Sequence, residues 1–151
     1  PGVEPGVAPT AVERGGSASD PPEIKRTATP RDPKQSRKLA ADAARALASG
    51  NRKEAESLFH QALAHDNRNG AALIGLSDIH FDRSEYTQAV SYAEKAVQAS
   101  PRNGGYRIRL GDAYFKLLRY ADAQGEYEVA KQLGNHEADE RLAKVKARLG
   151  K

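Results

Sequence analysis

The same residue types recur at intervals of 34 along most of the chain, and this period constrains the fold more than any other feature. The matched pairs include Leu76 with Leu110, Asp78 with Asp112, Phe81 with Phe115, Tyr86 with Tyr120 and Ala89 with Ala123. A repeat of this length is typical of units that stack and bury their apolar faces only against neighbouring units. The sequence therefore predicts three units, at residues 36–69, 70–103 and 104–137.

Each unit contains two helical patterns joined by a short turn. In the first unit, one apolar helix face is formed at spacing i, i+3, i+4, i+7 and i+8 by Ala55, Leu58, Phe59, Ala62 and Leu63. Gly50 suits the left-handed residue that ends a helix, and Ser84 is expected to cap the start of another. Because no segment alternates with period two, the folded part is predicted to be all α-helical.

The chain ends differ from the repeats. Seven of the eight prolines precede residue 35, and the first aromatic residue is Phe59. Such a segment cannot bury enough apolar surface to offset its ordering entropy, so residues 1–35 are predicted to be a disordered tail or linker. The folded domain is expected to span 36–151. Its last part, residues 138–150, is predicted to be a capping helix that covers the final unit with Leu142, Val145 and Leu149.

The repeat resembles the tetratricopeptide repeat (TPR) family. The third unit matches the family's pattern of small and large residues at Leu110, Gly111, Tyr114, Tyr120, Ala123, Tyr127 and Ala130. The family's tryptophan is absent from all three units, and its closing proline is replaced by Asn67 and Asn135 in the first and third. The resemblance implies a right-handed α-solenoid of three helical hairpins plus the capping helix. It also implies a concave groove lined by the first helix of each unit.

Catalytic and metal-binding patterns are absent from the sequence. Cysteine is missing, and the histidines at positions 60, 65, 80 and 136 do not form the spaced pair of a zinc enzyme. Neither a phosphate-binding glycine loop nor a G-x-S-x-G motif occurs. We therefore predict no enzyme activity, no cofactor and no metal site.

The sequence also carries expectations about context. It has no apolar run long enough to span a membrane and no secretory signal segment, which favours a cytoplasmic protein. The absence of methionine indicates a piece of a longer protein, and the high alanine content suggests a bacterial source.

By the same resemblance, one face of each first helix lines the groove. The predicted groove residues are Ala40, Ala44, Leu47, Ile74, Asp78, Phe81, Ile108, Arg109, Asp112 and Phe115. The recurring Ile–Asp–Phe pattern favours apolar shelves with carboxylates for a partner's Lys or Arg. A second interpretation, in which the apolar residues are partly core and the aspartates are solvated, stays open. The predicted function is a non-catalytic interaction module of a larger protein that binds a basic or amphipathic peptide or helix.

The same residues bear on three other kinds of partner: chaperone tails, a second copy of the chain and nucleic acid. A subset of the family binds chaperone C-terminal tails through Lys, Asn and Arg on these helices. Ala40 and Ala44 stand where a lysine and an asparagine are expected, and only Arg109 occupies a possible clamp position, so the sequence predicts against a chaperone tail. Self-association through the solenoid ends or the groove remains an alternative. Nucleic-acid binding by the basic last helix fits the pI near 9.4, but aspartates in the groove disfavour it.

Overall fold

The computed structural model describes residues 31–150, which form seven α-helices and contain no β-strand. The helices are α1 (Pro33–Ala48), α2 (Arg52–His65), α3 (Gly70–Asp82), α4 (Tyr86–Ala99), α5 (Gly104–Lys116), α6 (Tyr120–Gln132) and α7 (Glu137–Leu149). Hairpins form between α1 and α2, α3 and α4, and α5 and α6, and α7 packs against α6. The prediction of an all-α solenoid of three hairpins plus a capping helix is confirmed.

The first helix begins earlier than predicted. Pro33 is its first residue, and the Asp32 carboxylate Oδ1 accepts a hydrogen bond of 3.0 Å from the Gln35 backbone N–H. Proline suits the first helical position because its missing N–H would have no partner there. Residues 33–35, which the sequence analysis assigned to the tail, therefore belong to α1. Residues 31 and 32 precede the helix, and residues 1–30 of the predicted tail lie outside the described part of the chain.

Each hairpin turns through one residue in the left-handed conformation. These residues are Gly50, Ser84 and Leu118, with φ of 84°, 62° and 61°. The next backbone N–H in each turn bonds to a carbonyl five residues earlier, which closes the end of the preceding helix. The left-handed position of Gly50 is as predicted. The prediction that Ser84 caps α4 is wrong, because Ser84 ends α3 and Glu85 precedes α4.

A leucine at position 118 is expected to make the fold less stable than a glycine there, because the residue is in the left-handed conformation. Its side chain is 70% exposed, so little burial offsets the cost of a left-handed L-residue, about 1–2 kcal/mol. Leu118→Gly should therefore raise the free energy of unfolding by about 1 kcal/mol, as measured by urea denaturation. Gly50→Ala, with open space around the added methyl, should lower it by a similar amount. Destabilisation by Leu118→Gly would contradict this account.

Aromatic side chains pack onto glycines between neighbouring helices. Phe59 on α2 is 2% exposed and lies over Gly75 on α3, where an added Cβ would be 2.3 Å from its ring. Tyr127 on α6 lies over Gly111 on α5 in the same way, at 2.5 Å. The small residues thus allow the helices to approach around a large ring.

A buried polar contact joins the first two units. The Ser36 hydroxyl donates to the Ala62 carbonyl at 2.7 Å and accepts from the Asn69 amide at 2.8 Å. The Asn69 side chain also caps α3 through the Ala72 N–H, at 3.1 Å. Since every one of these buried groups has a partner, they fix α1 against the start of α3 at little desolvation cost.

The odd-numbered helices lie side by side in the order α1, α3, α5, α7 and form one continuous face. The even-numbered helices α2, α4 and α6 pack behind them. Within residues 31–150, no helix has the length and apolar character needed to span a membrane. The face of the odd-numbered helices holds most of the predicted groove residues.

Candidate functional site

Two adjoining pockets form the groove on the face of the odd-numbered helices. One, called the N-terminal pocket, has a volume of about 360 Å³ and is lined by Leu47, Ser77, Asp78, Phe81, Asp82, Arg109 and Asp112. The other, called the α7 pocket, has a volume of about 340 Å³ and is lined by Phe81, Asp112, Phe115, Lys116, Tyr127, Glu140, Arg141 and Lys144. Because Phe81 and Asp112 belong to both, the pockets are continuous.

Six of the ten predicted groove residues line these pockets. They are Leu47, Asp78, Phe81, Arg109, Asp112 and Phe115. Of the others, Ala40 and Ile108 are 4% and 2% exposed and belong to the core. Ile74 is half-buried against the core of α4 to α7, and Ala44 is exposed on α1 outside both pockets. The groove floor therefore comes from phenylalanines and not from isoleucines.

Two of the three groove aspartates, Asp78 and Asp112, are paired with arginines of the next odd-numbered helix. Asp78 on α3 lies 3.2 Å from Nε of Arg109 on α5. Burial raises the pKa of the Asp78 carboxyl, and the nearby Arg109 opposes this only in part. The Asp78 carboxylate is thus incompletely compensated, and a further cation beside it would be stabilising.

Asp112 has a stronger set of partners than Asp78. Its Oδ1 accepts from the Tyr127 hydroxyl at 2.6 Å and from Nε of Arg141 at 2.8 Å. Burial and this hydrogen bond to a carboxylate raise the pKa of Tyr127, so the hydroxyl stays protonated and donates. Arg141 also donates to the Glu137 carbonyl at 3.4 Å. The network fixes α7 against α5 and α6 and places the Arg141 guanidinium in the groove.

The charges of the two pockets differ. The N-terminal pocket has the carboxylates of Asp78, Asp82 and Asp112 and one guanidinium, that of Arg109. The α7 pocket has three cations, Lys116, Arg141 and Lys144, against two carboxylates, Asp112 and Glu140. The groove thus changes from acidic near α3 to basic near α7.

Each groove phenylalanine is held by a tyrosine from the following helix. Phe81 meets Tyr86 edge to face with ring centroids 5.3 Å apart, and Phe115 meets Tyr120 at 5.1 Å. All four side chains are only partly buried. Their rings are therefore fixed in place and still present apolar surface to the groove.

The histidines lie away from the groove. His80 stacks on Tyr92 with centroids 5.3 Å apart, and its Nδ1 is 2.6 Å from the Glu85 carboxylate. His60 lies edge to face with the same tyrosine, with centroids 6.4 Å apart. Among the described residues, no group of three or more His, Asp or Glu side chains is arranged to hold a metal ion.

The family model of the tetratricopeptide repeat matches residues 46–89 and 80–149. The chain belongs to the tetratricopeptide repeat family. Its fold resembles solved TPR domains, which are protein-interaction modules and generally non-catalytic. No curated protein matches the chain as a relative.

Three similar structures show how closely the fold agrees. The first TPR of Spaghetti (RPAP3) bound to HSP90 peptide SRMEEVD has a TM-score of 0.75 at 22% identity, over 80% of this chain and 97% of that one. The Sgt2 TPR domain from Aspergillus fumigatus has a TM-score of 0.71 at 23% identity, over 78% and 80%. The second TPR domain of human RPAP3 in complex with HSP70 peptide SGPTIEEVD has a TM-score of 0.68 at 19% identity, over 74% and 95%.

The prediction that excluded chaperone tails is wrong. Domains with this fold are solved with HSP90 and HSP70 peptides, so the exclusion does not hold for the chain. The prediction was wrong because it rested only on Ala40, Ala44 and Arg109, which lie on the first helices of the units. The α7 pocket adds the cations of Lys116, Arg141 and Lys144, which lie outside the positions compared.

Several groove residues were missed by the sequence analysis. Tyr127 was placed only in the repeat pattern, and the last helix, which carries Arg141 and Lys144, was predicted to be a cap, with nucleic-acid binding as the alternative. The signal of Arg141 and Lys144 in the sequence is weak, because the residues 34 positions earlier, Arg107 and Leu110, line neither pocket. A cluster of cations on the last helix, at one turn's spacing, is the only indication that it contributes a wall.

Proposed function

We propose that the groove binds a short amphipathic segment of a partner protein. The observation that carries this proposal is the continuity of the two pockets, in which phenylalanine rings lie beside charged side chains. Phe81 and Phe115 provide two apolar surfaces along one line, each braced by a tyrosine. A segment with apolar side chains on one face and charges beside them matches this pattern.

Apolar contacts supply most of the expected affinity. Exposed ion pairs contribute about 0.2–1 kcal/mol each, so the charged groups orient a ligand more than they hold it. A peptide bound in such a groove typically has a dissociation constant in the micromolar range, about −8 kcal/mol. The two phenylalanines are therefore the residues whose removal affects binding most.

The test is a fluorescence anisotropy titration of the full chain with three labelled probes. These are a basic amphipathic peptide, a peptide that ends in SRMEEVD, and the mixed peptide KKKSFALEEE. Phe81→Ala/Phe115→Ala is expected to weaken the tightest probe by at least about tenfold, as for interface hot spots. The matched control, Leu118→Ala, removes an apolar side chain that is 70% exposed and lines neither pocket.

Circular dichroism melts establish that the variants remain folded at the titration temperature. If the folded double variant binds the probes as tightly as the unaltered chain, the groove is not the binding site. If none of the three probes binds at millimolar concentration, the proposal fails.

An acidic peptide of the kind bound by the RPAP3 domains is a second candidate. It is supported by the cations of the α7 pocket, of which Lys116 has no ion pair among residues 31–150. Tighter binding of the SRMEEVD probe than of the basic probe would favour this candidate. The reverse order would favour a basic partner at Asp78 and Asp82.

Self-association through the solenoid ends is the alternative to peptide binding. The exposed charges of α7 are balanced, because the carboxylates of Glu137, Asp139 and Glu140 lie beside the cations of Lys144, Lys146 and Arg148. Charge therefore does not decide against stacking of this end on the basic residues of α1. Light scattering over a concentration series tests the alternative, and a mass that stays that of a monomer excludes stacking.

A further inference from the structure

The two pockets of the groove have opposite net charge although they share two lining residues. The N-terminal pocket contains three carboxylates and one guanidinium, and the α7 pocket contains three cations and two carboxylates. Phe81 and Asp112 lie at the junction. A ligand that spans both pockets therefore meets an acidic surface at one end and a basic surface at the other.

We propose that the charge difference fixes the direction of the bound segment, with its acidic end in the α7 pocket and its cationic end in the N-terminal pocket. This inference rests on the proposed function and specifies the ligand. The occupant is a peptide with carboxylates on one side of an apolar residue and Lys or Arg on the other. α7 is then part of the binding site as well as a cap.

The α7 pocket is organised to receive carboxylates. Arg141 is held by Asp112 on α5 and by Glu137 on its own helix, so its guanidinium is already oriented. Lys116, at the end of α5, lines the same pocket and has no ion pair among the described residues. Lys144 pairs only with Glu140 at 3.1 Å, and both side chains are more than 60% exposed. An incoming carboxylate exchanges with such an exposed pair at little cost.

The N-terminal pocket offers the opposite chemistry. Burial disfavours the charge of Asp78, and one half-exposed guanidinium, that of Arg109, lies beside it. Asp82 is about half exposed and meets Arg52 only at 3.6 Å. A ligand cation between the two carboxylates therefore gains more there than in the α7 pocket.

The test uses the ¹⁵N-labelled full chain and the probe KKKSFALEEE with a nitroxide label at either end. The label next to the glutamates is expected to broaden the amide signals of α7, and the label next to the lysines those of α3. The reversed sequence EEELAFSKKK should bind with its direction inverted, so that its glutamates again lie at α7. This distinguishes attraction by charge from a fixed backbone polarity.

Charge reversal in the α7 pocket is the second part of the test. Lys116→Glu/Lys144→Glu should weaken the probe about tenfold at low salt, an effect that added salt reduces. Lys146→Glu/Arg148→Glu is the matched control, since it also reverses two cations, on exposed residues of α7 outside the pocket, and it should have less than a twofold effect.

The outcomes separate the two proposals. Binding in the groove with the glutamate end at α3, or with no preferred end, overturns the inference and leaves peptide binding intact. Equal effects of the pocket variant and of Lys146→Glu/Arg148→Glu likewise overturn it. Absence of binding by both probe sequences overturns the inference, and the proposed function fails with it only if the basic and SRMEEVD probes do not bind either.

Discussion

Phe59→Ala is expected to lower the free energy of unfolding by about 3–5 kcal/mol, the usual cost of deleting a buried phenylalanine. Phe59 is 2% exposed and packs in the core cluster of α1, α2 and α3. Its ring lies directly over Gly75, so the cavity left behind is bordered by backbone that cannot collapse freely. Domains of this size have a total stability of about 5–15 kcal/mol, so the loss is a large part of it.

Gly75→Ala alone should also destabilise the fold, by about 1–2 kcal/mol. The added Cβ would lie only 2.3 Å from the Phe59 ring, so we expect the upper part of the usual cost of overpacking, about 2–3 kcal/mol. Alanine is favoured over glycine within a helix by about 1 kcal/mol, which offsets part of this cost. The three atoms nearest the added Cβ all belong to Phe59, so one side chain accounts for the clash.

The double variant distinguishes this explanation from a general loss of packing. In the Phe59→Ala background, Gly75→Ala is expected to stabilise the protein by about 1 kcal/mol, because only the helix preference remains. The sign of one substitution therefore reverses, and the cycle gives a coupling energy of about 2–3 kcal/mol. Urea denaturation of the four proteins measures it. Additive effects would contradict a direct contact between the two residues.

The fold could be predicted because its main determinant is periodic in the sequence. Spacing of 34 residues sets the units, and the helix faces within each unit follow from the apolar positions. The errors occur where one residue type serves two structural roles. Ser84 has the side chain of an N-cap, but the equivalent positions 50 and 118 show that the turn requires a left-handed residue there. Pro33 was assigned to the tail because prolines are frequent in it, whereas Asp32-Pro33 begins a helix.

The site was less predictable because its ion pairs join unlike positions. Asp112 pairs with Arg141, which is 29 residues later, and Asp78 pairs with Arg109, 31 residues later. Neither separation follows the period of the repeat. The sequence therefore indicated carboxylates available to a partner, whereas in the structure each already has an arginine. Whether each aspartate pairs with an arginine depends on the direction of side chains on neighbouring helices. The period of the sequence carries no information about those directions.

Asp112→Ala is expected to lower the free energy of unfolding by about 2–3 kcal/mol, whereas Asp78→Ala should change it by less than about 1 kcal/mol. The two residues occupy the same position of successive units, so helix preference cancels in the comparison. Loss of Asp112 leaves the Tyr127 hydroxyl and the Arg141 guanidinium without their shared acceptor. Hydrogen bonds to a charged group contribute about 1.5–3 kcal/mol, and an unsatisfied buried partner adds to the cost.

Asp78 has no equivalent network. Its partner Arg109 is 49% exposed and regains water when the carboxylate is removed. Burial disfavours the charged form of Asp78, so its replacement also removes a desolvation cost. Tyr127→Phe provides the control, since it deletes only the hydroxyl and should cost about 1 kcal/mol. Equal losses in the free energy of unfolding for Asp112→Ala and Asp78→Ala, measured by chemical denaturation, would contradict this account. The contacts of Asp112 would then not be what attaches α7 and holds Arg141 in the groove.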